Sequence, residues 1–197
     1  MAKDMTPQEA EEFVRPLLSE KRYAHTLRVA RTAEELAYRH GIDPARARLA
    51  GLLHDAARDM GGAELLRLAG EWKLPVDGWE KENPKLLHGP VAAEMARRRL
   101  GLTDEEVLDA IRVHTTGAAG MGPLALALYV ADKIEPGRDY PSVGRLRKLA
   151  EGDLAAATAE SLRTAISYNE KRGRQTHPAS VEALRWLERE AGGVEEP

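Results

Sequence analysis

Apolar positions in this chain recur at steps of three and four, and the residues between them carry helix start and stop signals. Thr6-Pro7-Gln8-Glu9 reads as a capping box with proline at the first helical position, and Phe13, Leu17 and Leu18 give that helix an apolar face. A second helix is expected from about Lys21 to His40, closed by Gly41, with His25, Val29, Thr32 and Leu36 as its inward stripe. Asp43-Pro44 opens a third, alanine-rich helix that runs through Leu49, Leu52 and Leu53 into His54-Asp55. Gly61-Gly62 breaks the chain before a short helix over Ala63–Trp72. The stretch Leu74–Asn83, carrying Pro75 and Gly78, reads as a surface loop.

The second half continues in the same period. A helix follows His88-Gly89-Pro90 and stops at Gly101, and Thr103-Asp104-Glu105-Glu106 reads as a second capping box for a helix ending near His114. Pro123–Ile134 is almost wholly apolar, which predicts a helix buried on most sides, with Asp132 and Lys133 at its end. Helices near Val143–Ala150, Asp153–Lys171 and Pro178–Glu190 complete the chain. No segment alternates as a strand would. The expectation is an all-α fold, one compact domain over residues 1–197.

Composition narrows the chemistry. A chain of 197 residues can bury roughly 70% of its unfolded surface, and 43% hydrophobic residues argue against disorder. The absence of cysteine excludes disulfide scaffolds, thiolate metal sites and a catalytic thiol. No signal peptide begins at Met1, and no run approaches the roughly 20 apolar residues of a membrane helix, so a cytoplasmic protein without membrane partners is expected. A net charge of −3 offers no general field for nucleic acid. Six histidines remain to do acid–base or metal chemistry.

Their placement is informative. His54-Asp55 ends an apolar helix, where a charged group is costly unless paired or bound to metal. His25 lies on the inward stripe of the preceding helix, Asp132 ends the most apolar one, and His88 and His114 each sit at a helix boundary. Imidazole and carboxylate donors suit iron, manganese, zinc and similar ions, which then attract phosphate.

The motifs Arg22-Tyr-Ala-His25, Leu52-Leu-His54-Asp55, Leu87-His88-Gly89-Pro90, Val113-His114-Thr115-Thr116-Gly117 and Ala131-Asp132-Lys-Ile-Glu-Pro-Gly-Arg138-Asp139 resemble the YqeK family of HD-domain proteins. Members cleave diadenosine tetraphosphate symmetrically to two molecules of ADP. The motif core covers residues 22–139, and Gln175-Thr176-His177-Pro178 resembles the family's C-terminal nucleotide segment within the helices of 142–190. The resemblance implies an HD-domain helical bundle, with His25, His54, Asp55 and Asp132 as metal ligands. It implies an iron site, with manganese or another first-row ion still open. His88 and His114 fall beside the phosphates, where with Asp55 they are the candidate catalytic groups, and a second ion there is open. Arg22, Arg58, Thr115, Arg138 and His177 fall at nucleotide contacts. Arg58 departs from the lysine frequent in the family but keeps the charge and adds a bidentate fork.

Other features read as structural. His40 stands at a helix end, where it interacts favourably with the dipole, and Arg97-Arg98-Arg99 is a solvated face. Trp72 and Trp79 are expected to pack the loop region, with nucleobase stacking as the alternative. Another nucleotide as substrate, a nucleotide-sensing module without turnover, and a homodimer stay open.

Overall fold

The computed structural model describes residues 5–192; the outermost parts of the expected domain, residues 1–4 and 193–197, including the Met1 start, lie outside the described residues. Eleven α-helices and two short 3-10 turns follow one another, with no strand among the described residues. Most boundaries fall where the sequence places them: α1 Pro7–Val14, α2 Glu20–Arg39, α3 Pro44–Leu53, α4 Gly62–Glu71, α6 His88–Leu100, α7 Glu105–Val113, α8 Pro123–Ile134, α9 Val143–Gly152, α10 Leu154–Lys171 and α11 Pro178–Gly192. The Thr6 side chain and Glu9 close the expected capping box on α1.

Three expectations need correction. The Leu74–Asn83 loop contains a fifth helix, α5 Gly78–Glu82, started by a capping box of Asp77 and Glu80. Its pattern is legible as an acidic N-cap with glutamate three residues on, but the flanking proline and glycine mask it. The cap of α7 is Asp104 rather than Thr103, and Arg46 holds that carboxylate through Nε and Nη2 at 2.7 and 2.6 Å. The buried stripe of α2 passes through Ala33, while Thr32 is half-buried, because a step of four continues the line from Val29.

The core runs through the whole bundle. α2 packs mainly on α3 and α8, α7 lies between α6 and α8, and α10 bridges α8, α9 and α11. α8 is apolar all round because neighbours cover it on most sides, with Leu126, Leu128 and Val130 in contact with the core. Two close approaches bring helix ends together. A Cβ on Gly51 would stand 2.5 Å from the Ala30 Cα, so only glycine lets α3 lie this near α2. At Gly89 a Cβ would stand 2.9 Å from the Arg112 carbonyl oxygen, which brings α6 against the end of α7. The first contact sets His54 beside His25, and the second sets His88 beside His114. His40, as expected, is a structural tie: its Nε2 meets the Ala150 carbonyl at 2.7 Å.

Candidate active site

Four imidazoles converge at one end of the core, each no more than 7% exposed. His54 follows α3, His88 opens α6 and His114 follows α7. Each donates its Nδ1–H to the carbonyl three residues earlier: His54 to Gly51 at 2.7 Å, His88 to Lys85 at 2.5 Å and His114 to Ile111 at 2.8 Å. A carbonyl only accepts, so these contacts fix the proton on Nδ1 and leave a lone pair on Nε2. His25 lies inside α2 and instead donates to the Glu135 carboxylate, Nδ1 to Oε1 at 3.1 Å. All four Nε2 atoms then face inward.

Asp55 stands between them. Its Oδ2 lies 3.8 Å from His25 Nε2 and 3.5 Å from His54 Nε2, while Oδ1 lies 3.3 Å from His88 Nε2 and 3.7 Å from His114 Nε2. Arg22 donates to Oδ2 at 2.9 Å. Asp132 Oδ1 lies 3.1 Å from His25 Nε2 and accepts from Arg138 at 2.7 Å, while its Oδ2 accepts from Lys133 at 2.8 Å. Burial alone would raise both carboxyls. Both nevertheless lie far below the usual carboxylate range, Asp132 chiefly because Lys133 stands beside it. Burial pushes His54, His88 and His114 downward, against the pull of Asp55, so these rings stay neutral.

Such a donor set fits a cation. His25 Nε2 and His54 Nε2 are buried with no hydrogen-bond partner, an expensive arrangement for polar atoms. The Nε2 atoms of His88 and His114 approach to 3.1 Å with Thr115 Oγ1 at 3.2 and 3.3 Å, so one hydroxyl proton faces two lone pairs. Two groups, His25-His54-Asp55 and Asp55-His88-His114, each gather their ligand atoms within 4.8 Å, and they share Asp55. Neutral imidazoles and ionised carboxylates suit a divalent first-row metal.

Beside this cluster lies a cavity of about 900 Å³, within the usual range for a ligand site. Thr115, Lys133 and Arg138 form part of its wall, so the same side chains touch both the cluster and the open space. Trp79, Tyr168 and His177 line it further out. His177 is thus brought to the cavity but kept out of the metal cluster; its Nδ1 accepts from the Ala179 N–H, and its ring lies 5.6 Å from Trp79. Arg58 is half-buried and absent from the cavity wall; its carbonyl accepts from Lys85. Sequence reasoning missed Lys133, Arg28 and Glu135. The signal was present for the last, since Asp132 and Glu135 are three apart at one helix end and share a face. Glu135 is 2% exposed. Burial would raise its carboxyl, but hydrogen bonds from Arg28, the Gly137 N–H and His25 hold it at about 2.

A model of the HD domain matches residues 22–137, more than half of the chain. The chain belongs to the HD-domain family. This HD protein is 39% identical over 183 residues to the symmetrical bis(5'-nucleosyl)-tetraphosphatase of Bacillus subtilis, covering 93% of this chain and 98% of that one. It is 36% identical over 170 residues to the protein of the same name from Staphylococcus aureus, covering 85% and 87%. A crystal structure from Clostridium acetobutylicum, described as a predicted HD superfamily hydrolase involved in NAD metabolism, superposes with a TM-score of 0.91 at 34% identity, covering 94% of this chain and 98% of that one. The helical HD fold and the resemblance carried by the motifs both hold. Among the described residues no helix is long and apolar enough to cross a membrane.

Proposed function

We propose that this chain is a metal-dependent phosphohydrolase that cleaves diadenosine tetraphosphate symmetrically into two molecules of ADP. The observation that carries the reading is the shared wall: Thr115, Lys133 and Arg138 belong at once to the cation-fitting cluster and to a cavity large enough for a nucleotide. The names of the relatives supply the substrate class.

His25, His54, Asp55 and Asp132 would hold the metal, taken as iron from the family resemblance, with manganese or another first-row ion as the alternative. A bound divalent ion lowers the pKa of a coordinated water toward neutrality and offers Lewis-acid contact to a phosphoryl oxygen. His88 and His114, with Asp55 shared between the groups, would take a second ion or contact the phosphates directly. Lys133 and Arg138 line the path from cluster to cavity, where they offset charge on the phosphoryl oxygens. Arg22, through Asp55, orients the shared carboxylate. Attack of water on one of the two central phosphorus atoms breaks its bond to the bridging oxygen, so one ADP leaves with that oxygen and the other keeps the water oxygen. ADP is a good leaving group, so positioning and charge neutralisation supply most of the acceleration. Trp79 and His177 sit where a nucleoside would rest, whereas Arg58 lies off the cavity wall.

Chromatography of the products with diadenosine tetraphosphate and ferrous or manganous ion tests the reading. ADP as sole product supports it; ATP with AMP, or binding without turnover, overturns it.

A further inference from the structure

His25 differs from the other three histidines in how its proton is placed. His54, His88 and His114 close a helix or a turn and each bonds back to a carbonyl three residues earlier. His25 lies within α2, where the carbonyls of the preceding turn are spent on the helix ladder, so its own segment provides no such acceptor. Glu135, from the far end of α8, provides it. The competing partner is on the other side of the ring: Asp132 Oδ1 lies 3.1 Å from Nε2 and would equally accept a proton there. In that tautomer, the His25 lone pair would point away from the cluster and Asp132 would be tied to the ring.

Glu135 is itself held. Its Oε2 accepts from Arg28 Nε at 2.5 Å and from the Gly137 N–H at 2.6 Å, while Oε1, met by Arg28 Nη2 only at 3.4 Å, turns toward His25. Arg147 fixes the turn by donating to the carbonyls of Ile134, Glu135 and Arg138 at 2.9, 3.0 and 3.0 Å. None of these three side chains reaches the cavity wall.

We infer that Glu135, buttressed by Arg28, is a positioning residue that decides the His25 tautomer, and that it thereby aims the Nε2 lone pair at the metal. The inference rests on His25 being a metal ligand, as proposed above. A carboxylate behind a ligating histidine typically governs metal affinity by about 10–100-fold.

Glu135→Gln sharpens the test because it keeps the shape. The two donors at Oε2 would claim the amide oxygen, so the amide NH2 would face His25 Nδ1 and force it to accept. The proton then moves to Nε2. Nitrogen NMR of the full chain with ring-labelled histidine, before and after addition of zinc alone as a diamagnetic probe, reads this directly. The expected result is a His25 signal of the Nδ1–H form in the wild type and of the Nε2–H form in Glu135→Gln, with the His54 signal unchanged. Zinc affinity should fall about 10–100-fold. Wild-type tautomer and affinity in Glu135→Gln would overturn the inference. A wild-type His25 Nε2 signal that ignores zinc would instead overturn the ligand assignment, while the tautomer comparison before zinc still judges Glu135. Glu135→Ala should weaken zinc further; if it fails to fold, the isosteric variant carries the test.

Discussion

The buried cluster and the outer wall of the cavity beside it are built on opposite principles. In the cluster, four imidazoles no more than 7% exposed have their Nδ1 protons assigned by fixed acceptors, and every candidate ligand atom comes from a helix terminus or helix face packed in the core. At the outer wall, Trp79 sits on a five-residue helix that packs mainly on the turn after it, Tyr168 is 50% exposed, and His177 precedes a helix in a polar loop. Under the proposed function, chemistry would rest on side chains packed in the core and recognition on side chains nearer the surface. Substitutions in the cluster should therefore act on metal and turnover together, and substitutions at the outer wall on substrate affinity alone.

The largest effect belongs to the cluster. His54→Ala or Asp55→Ala should remove metal and activity together, by more than the roughly 100-fold expected for a residue behind the ligands; full activity at normal metal content would erase the contrast. Next come the cations on the shared wall. Lys133→Met or Arg138→Ala should cost about 10–100-fold in kcat/KM, since a hydrogen bond to a charged group contributes about 1.5–3 kcal/mol. Trp79→Ala should raise KM by roughly fivefold or more with kcat kept, as loss of base stacking costs about 1–3 kcal/mol; a drop in kcat alone would count against the division.

The smallest effect lies away from both. Asp104→Ala removes the cap of α7 and one of the two carboxylate partners of Arg46, a loss of about 1 kcal/mol. Thermal melting should show a fall of roughly 2–4 °C per kcal/mol with turnover unchanged. The Arg46 guanidinium holds this carboxyl below its ordinary value. Its contribution is therefore present above about pH 3.9, the unfolded value, and is lost as pH falls through the lower folded value. The Asp104→Ala penalty should shrink in strong acid.

The helices were legible because capping residues and apolar steps are local signals, as at Thr6-Pro7 and over Pro123–Ile134. The candidate ligands were legible because each buried polar residue interrupts an apolar face. α5 was not, since two turn-forming residues near its start resemble a loop. Lys133 and Glu135 also escaped, because single charged residues near a helix end are ordinary until something buried faces them. Arg58 illustrates the reverse: a matching motif position that the fold leaves out of the cavity wall.

By itself the sequence determined the all-helical architecture, the absence of thiolate chemistry and the short set of residues from which a metal site could be made. Only the tertiary structure decided that Asp55 serves both pairs of histidines, that Lys133 and Arg138 join the cluster to the cavity, and that Glu135 rather than the local backbone holds the His25 proton. The physical reason is range. Helix propensity and capping act within a turn, whereas a lone pair is aimed by groups more than a hundred positions away in the chain, and the packing of α2 with α8 brings them together.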